Sequence, residues 1–227
     1  MNTVLDIEQT EIVVPADRVE LTGDLSLPDS ATGIVVFAHG SGSSRHSPRN
    51  RHVAGVLNQG AIATILIDLL TEEEEAVDLN TAELRFDIDL LARRLTVITD
   101  WVGVQPDLKN LGIGYFGAST GAAAALGSAA ERSRTVRAVV SRGGRPDLAG
   151  PALSQVRAPC LFIVGGDDSV VLGLNRKAIA ELPPATTSHL EIIPGATHLF
   201  EERGALVRVA VLARSWFERY LDGSTNQ

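Results

Sequence analysis

Residues 111–130, LGIGYFGASTGAAAALGSAA, join an apolar run to an alanine-rich stretch through Gly117-Ala118-Ser119-Thr120-Gly121. The first half lacks polar alternation and reads as a strand buried on both faces; the second reads as a helix. The G-x-S-x-G spacing between them suits a strained strand-to-helix turn that lifts the serine oxygen above the end of a sheet. In such a turn the residues two before and two after the serine press against neighbouring backbone, and here both are glycine. The helix that follows would direct the positive end of its dipole at the serine, and Thr120 would offer its backbone N–H to an oxyanion.

The same theme recurs on either side. GIVVFAHG (33–40), ATILIDLL (63–70), VRAVVS (136–141), CLFIVGG (160–166) and HLEIIPG (189–195) are further apolar runs. Helical stretches alternate with them: RNRHVAGVLNQ near Pro48, a long helix carrying Leu84, Ile88, Leu91, Leu95, Ile98 and Val102, and ALVRVAVLARSWFERYL at the end. The acidic run TEEEE is expected to be a solvated loop or a helix start. EIVVP and RVELTGDLSLP near the N-terminus alternate as a hairpin does. Continuous strands separated by helices imply an α/β fold, a parallel sheet covered on both faces. Ligands then gather at the carboxyl ends of the strands, where His39 to Arg45, Asp68, Ser119, Arg142, Asp168 and His198 fall.

The bulk numbers restrict function. The 227 residues suit one core and are expected to form a single domain over 1–227. A formal net charge of −8 offers nucleic acid no attractive field. One cysteine, Cys160, excludes an internal disulfide framework. MNTVLDIEQTEIVVP shows neither a basic start nor an apolar core of a signal peptide, and no apolar stretch reaches the length of a membrane span. The expectation is a cytoplasmic protein with a small-molecule substrate, no nucleic-acid or membrane partner and no cofactor; oligomeric state is not readable.

A serine needs an adjacent base, and the base an orienting acid. After Ser119, GGDDSV places Asp167 and Asp168 directly behind a buried strand, and GATH places His198 behind the last strand. The order Ser, Asp, His is that of a strand-end triad. Asp167 and Asp168 compete for the acid role. His189 begins a strand, His39 sits in a His-Gly turn, and His46 and His52 are peripheral. The loop His39-Gly40-Ser41-Gly42-Ser43-Ser44-Arg45 can bring a second backbone N–H, that of Ser41, to the oxyanion. It lacks the ending of a phosphate-binding loop.

Together these residues resemble the α/β-hydrolase superfamily, and within it the compact dienelactone-hydrolase-like branch. The resemblance runs from FAHGSGSSRHSPRNR through GYFGASTG and VVSRGGRP to IVGGDD and GATHLFEE. It implies a three-layer α/β/α sandwich on an eight-stranded, mostly parallel sheet, with no large cap domain. It also implies acyl transfer to water through an acyl-enzyme. The G-x-x-D spacing of that family, counted from Gly165, selects Asp168 as the acid and leaves Asp167 as a loop residue that caps the next helix. Dienelactone hydrolases carry a cysteine where this chain has Ser119, and Cys160 looks like a buried structural thiol. The expected activity is therefore that of a serine esterase on a small ester or lactone; the alternative is a ligand-binding module without catalysis.

Two basic loops face the expected site, one with Arg45, Arg49 and Arg51, the other with Arg142 and Arg145. A guanidinium fork suits a carboxylate or phosphate, so Arg45 or Arg142 is expected to hold an anionic group of the substrate. The competing reading is that they pair with Asp147, Asp68 or Glu72 to Glu75 and only brace loops.

Overall fold

The hairpin read near the N-terminus is the outer edge of the sheet: β1 (Ile7–Ala16) and β2 (Val19–Pro28) pair antiparallel. The computed structural model describes residues 7–222. The ends of the domain expected over 1–227, and the first residues of the stretch read as lacking a leader, lie outside them.

Six more strands follow: β3 (Gly33–Ala38), β4 (Ile62–Ile67), β5 (Gly112–Ala118), β6 (Val136–Arg142), β7 (Cys160–Gly165) and β8 (Ser188–Ile193). One sheet takes the order β1-β2-β4-β3-β5-β6-β7-β8, with β2 antiparallel to its neighbours and the rest parallel. Parallel neighbours require crossovers, and the helices supply them. These are α1 (Pro48–Gln59), α2 (Glu72–Thr81), α3 (Ile88–Val102), α4 (Thr120–Glu131), α5 (Ser169–Glu181) and α6 (Ala205–Leu221).

The absence of polar alternation in the inner strands has a direct cause. Ile34, Val36, Tyr115, Val139 and Phe162 bury on the α3 and α4 side, while Val35, Phe37, Phe116, Val140 and Ile163 bury against α1 and α6. The result is a three-layer α/β/α sandwich.

One sequence expectation needs correction, and one is narrowed to the second of its two alternatives, a helix start. Leu84 does not begin the long helix; it opens a 3-10 turn (Leu84–Phe86), and α3 starts after Asp87, whose side chain accepts the Leu90 N–H at 2.9 Å. The acidic run is the first turn of α2. Thr71 and Glu74 close a reciprocal capping box, Thr71 N–H to Glu74 Oε2 at 2.9 Å and Glu74 N–H to Thr71 Oγ1 at 3.2 Å. Arg94 of α3 ties that turn down, giving Nη1 to the Leu69 carbonyl at 2.5 Å and both Nη atoms to Glu74 at 2.5–2.6 Å.

Candidate active site

Ser119 follows β5 with φ 50° and ψ −120°, a region that non-glycine residues rarely occupy. The neighbours dictate it. A side chain on Gly117 would collide with Ala122, and one on Gly121 with the carbonyls of Ala38 and His39. The turn is locked by Ser119 N–H to the Arg142 carbonyl at 3.3 Å and Arg145 N–H to the Ser119 carbonyl at 3.0 Å. Thr120 is the first residue of α4, where backbone N–H groups have no intrahelical acceptor.

Asp168 follows β7 and does two things. One carboxylate oxygen accepts the Val171 N–H at 3.4 Å, capping α5; the other meets Nδ1 of His198 at 2.8 Å. The cap expected of Asp167 therefore belongs to Asp168. His198 lies in the loop after β8, its side chain 40% exposed, whereas that of Asp168 is 14% exposed. An acceptor-only carboxylate facing Nδ1 makes that nitrogen the donor and leaves Nε2 as the basic one.

Gly143 (φ 52°) runs close against the histidine. A Cβ there would stand 3.1 Å from the His198 carbonyl oxygen and 3.5 Å from its Cε1. The next residue, Gly144, is held through its carbonyl by the buried Asn175 amide at 2.9 Å. Ser119, Asp168 and His198 thus lie behind β5, β7 and β8, at the carboxyl rim of one sheet. The imidazole bonds to Asp168 and forms no hydrogen bond with the Ser119 hydroxyl. In structures without substrate, hydrogen bonds between a nucleophile and its base are often long or open.

The Gly-rich loop lies against the same turn. A Cβ on Gly40 would stand 3.0 Å from Cβ of Ser119. Ser41 donates its N–H to Oγ1 of Thr120 at 3.0 Å, so the amide expected to face an oxyanion is already engaged. His39 has the structural role its turn suggested: Nδ1 meets the Gly40 carbonyl at 3.0 Å, and Nε2 accepts the Leu69 N–H at 3.3 Å.

The arginines divide. Arg45 is caged by carboxylates, with Glu11 at 3.1 Å, Asp68 at 3.6 Å and Asp24 at 3.9 Å, and its own N–H binds Asp68 at 2.6 Å. Arg45 is therefore a loop brace, and the expectation that it receives a substrate anion is corrected. Arg145 pairs with Asp147 at 2.8 Å, and Arg49 approaches Glu201 at 3.7 Å. Arg142 has no carboxylate within ion-pair distance among the described residues. It is buried, reaches Asn50 at 3.4 Å, and lies 5.9 Å from the Phe200 ring centroid. Burial, followed by repulsion from Arg49, pushes its pKa down to about 10, so the cation persists at neutral pH.

Cys160 is buried in β7, where its thiol donates to the Ala158 carbonyl at 3.1 Å, and desolvation pushes its pKa up to about 12. Among the described residues no cluster of three or more His, Cys, Asp or Glu could hold a metal ion, and no helix is long and apolar enough to cross a membrane. Sequence reasoning missed the wall that α2 adds beside the Gly-rich loop, carrying Glu75 and Leu79. The signal available was T-x-x-E at Thr71 to Glu74.

Comparison with known proteins bears on the fold and the family. The chain is 59% identical to the crystal structure of dienelactone hydrolase from Anabaena variabilis ATCC 29413, covering 95% of this chain and 99% of that one, with a TM-score of 0.92. Est1E from Butyrivibrio proteoclasticus shares the fold at 13% identity, a TM-score of 0.76, and coverage of 92% and 98%. A Mycobacterium tuberculosis H37Rv protein, provisionally named a phosphoribosyl transferase, is 56% identical over 217 residues, which is 96% of this chain and 48% of that protein. The chain thus spans about half the length of the curated relatives it matches. The family model described as "Dienelactone hydrolase family" matches residues 25–222, from β2 through the end of α6. On that match and the Anabaena likeness, this chain belongs to the dienelactone hydrolase family.

Proposed function

We propose that the chain is a serine hydrolase that cleaves a small ester or lactone through an acyl-enzyme. The observation that carries this reading is the 2.8 Å bond between Asp168 and Nδ1 of His198, set on the same sheet rim as the left-handed Ser119 turn. His198 Nε2 takes the hydroxyl proton as Oγ of Ser119 attacks the carbonyl carbon. Negative charge collects on the carbonyl oxygen, where the N–H groups of Thr120 and Ser41 stabilise it once Thr120 Oγ1 has released Ser41. The imidazolium then gives its proton to the leaving alkoxide, and a water repeats the sequence on the acyl-serine. Each lost oxyanion donor of this kind costs about 3 kcal/mol of transition-state stabilisation.

An anionic substrate arm would have to reach Arg142, the buried cation without a carboxylate partner, because Arg45 is neutralised. The alternative of a binding module without catalysis predicts no reactive serine. Labelling with a fluorophosphonate separates the two: the reading requires stoichiometric modification of the wild type, none in Ser119→Ala, and parallel loss of p-nitrophenyl ester hydrolysis. An unlabelled wild-type protein would overturn it.

A further inference from the structure

A cavity of about 250 Å³ opens beside the Ser119 turn, between the Gly-rich loop with Thr120 on one side and α2 on the other. Leu69, Leu70, Leu79 and Leu91 make its lining apolar. Gly40, Ser41 and Thr120 are part of that lining, and a Cβ on Gly40 would stand 3.0 Å from Cβ of Ser119, so the cavity borders the turn that carries the serine.

Three charged side chains face this space: Glu75, Asp78 and Arg85. Two of them cancel. Arg85 Nε meets Asp78 Oδ2 at 2.5 Å, and Arg85 N–H meets Oδ1 at 3.1 Å. Glu75 is different. It is half-buried, and its carboxylate makes no ion pair or side-chain hydrogen bond among the described residues. Burial, then the carboxylates of Asp68, Asp78 and Glu72, push its pKa above the ordinary 4.5, with His39 acting the other way. A partly desolvated acid at the edge of an apolar cavity is compensated best by a cation brought from outside.

We propose that this cavity selects the substrate, receiving a short apolar arm that ends in an ammonium group paired with Glu75. The inference rests on the hydrolase reading above, and its sign is opposite to that expected from the arginines. The charge left open beside the Ser119 turn is negative, whereas Arg142 is walled in by Asn50 and Phe200.

Three probes of matched length test the sign: n-butylammonium, n-butanol and butyrate. Each is titrated as an inhibitor of p-nitrophenyl acetate hydrolysis and, independently of turnover, by calorimetry on the wild type and Ser119→Ala. Butylammonium should bind about fivefold or more tightly than butanol, with butyrate weakest, as for a charge-assisted contact that remains partly solvated. Glu75→Gln should abolish the preference and Glu75→Lys should turn it toward butyrate. Equal binding of the three probes, or an unchanged order in Glu75→Lys, overturns the pocket assignment. If that happens while Ser119→Ala is inactive, the hydrolase reading stands without it. If the calorimetric order holds but Ser119→Ala hydrolyses the ester like the wild type, the pocket stands and the hydrolase reading falls.

Discussion

The backbone N–H of Ser41 donates to Oγ1 of Thr120 at 3.0 Å, across 79 residues of chain, joining the two residues expected to cradle a substrate oxyanion. The bond fixes the Gly-rich loop on the first turn of α4, and it also keeps one prospective donor occupied. Thr120→Val keeps the shape and deletes the acceptor. Stability should fall by about 1–2 kcal/mol because a half-buried N–H loses its partner. Turnover should rise by up to about fivefold, the factor that one neutral hydrogen bond of about 1 kcal/mol is worth. Thermal unfolding and kcat on a p-nitrophenyl ester check both; a fall in kcat would instead make the threonine hydroxyl an oxyanion donor.

Ser119 holds a backbone conformation suited to glycine, at φ 50° and ψ −120°. Strain of this kind costs about 1–3 kcal/mol. Ser119→Gly should therefore be inactive yet more stable than Ser119→Ala by about 1 kcal/mol, after the extra entropy of a glycine in the unfolded chain. Denaturant unfolding of the two variants measures it, and equal midpoints would remove the strain argument.

Asp168→Asn retains an oxygen for the Val171 N–H but places an amide opposite His198. The imidazole is then held in the wrong tautomer, and kcat should drop by about 10²–10⁴ with little change in melting temperature. Asp168→Ala should lose the helix cap as well, at a further cost of about 1 kcal/mol.

The Arg94 guanidinium holds the Glu74 carboxyl below the usual 4.5. A depressed folded-state pKa lends stability that is fully present above 4.5 and is lost as the pH falls below it. Glu74→Gln should cost about 2 kcal/mol near neutral pH, less than the 3–5 kcal/mol of a fully buried pair because Glu74 is 25% exposed. The gap between wild type and variant should narrow below pH 4.5. Urea unfolding at two pH values checks it.

Cys160, with its pKa pushed up to about 12, should resist iodoacetamide at pH 8 in the folded protein and react once denaturant is added. Mass spectrometry reads the adduct. Rapid native labelling would contradict the burial of β7.

The sheet was legible because its inner strands are apolar on both faces and punctuated by glycine, and because Ser119 and Asp168 each follow one of them while His198 follows the edge strand β8. The helix start misread was one at which two local signals compete: Leu84 fits the helical period of α3, but Asp87 caps the helix later. TEEEE was legible as a helix start, but not as part of a cavity wall, which depends on Arg94, buried in α3, reaching across to Glu74. Arginine charge partners were the least legible. Arg45 and Arg142 look alike in sequence, and only folding brings Glu11, Asp24 and Asp68 to the first and none of them to the second.

Helix α2 packs chiefly on the 3-10 turn after it and is fastened by Arg94, while Asp168 and His198 hang from β7 and β8 at the far side of Ser119. On the proposed reading, the part that chooses and the part that cuts therefore sit on different segments of chain. Exposed positions of residues 72–86 other than the fastened Glu74 could then be rewritten by drift or a directed library, changing the menu of accepted molecules while Asp168 and His198 stay as they are.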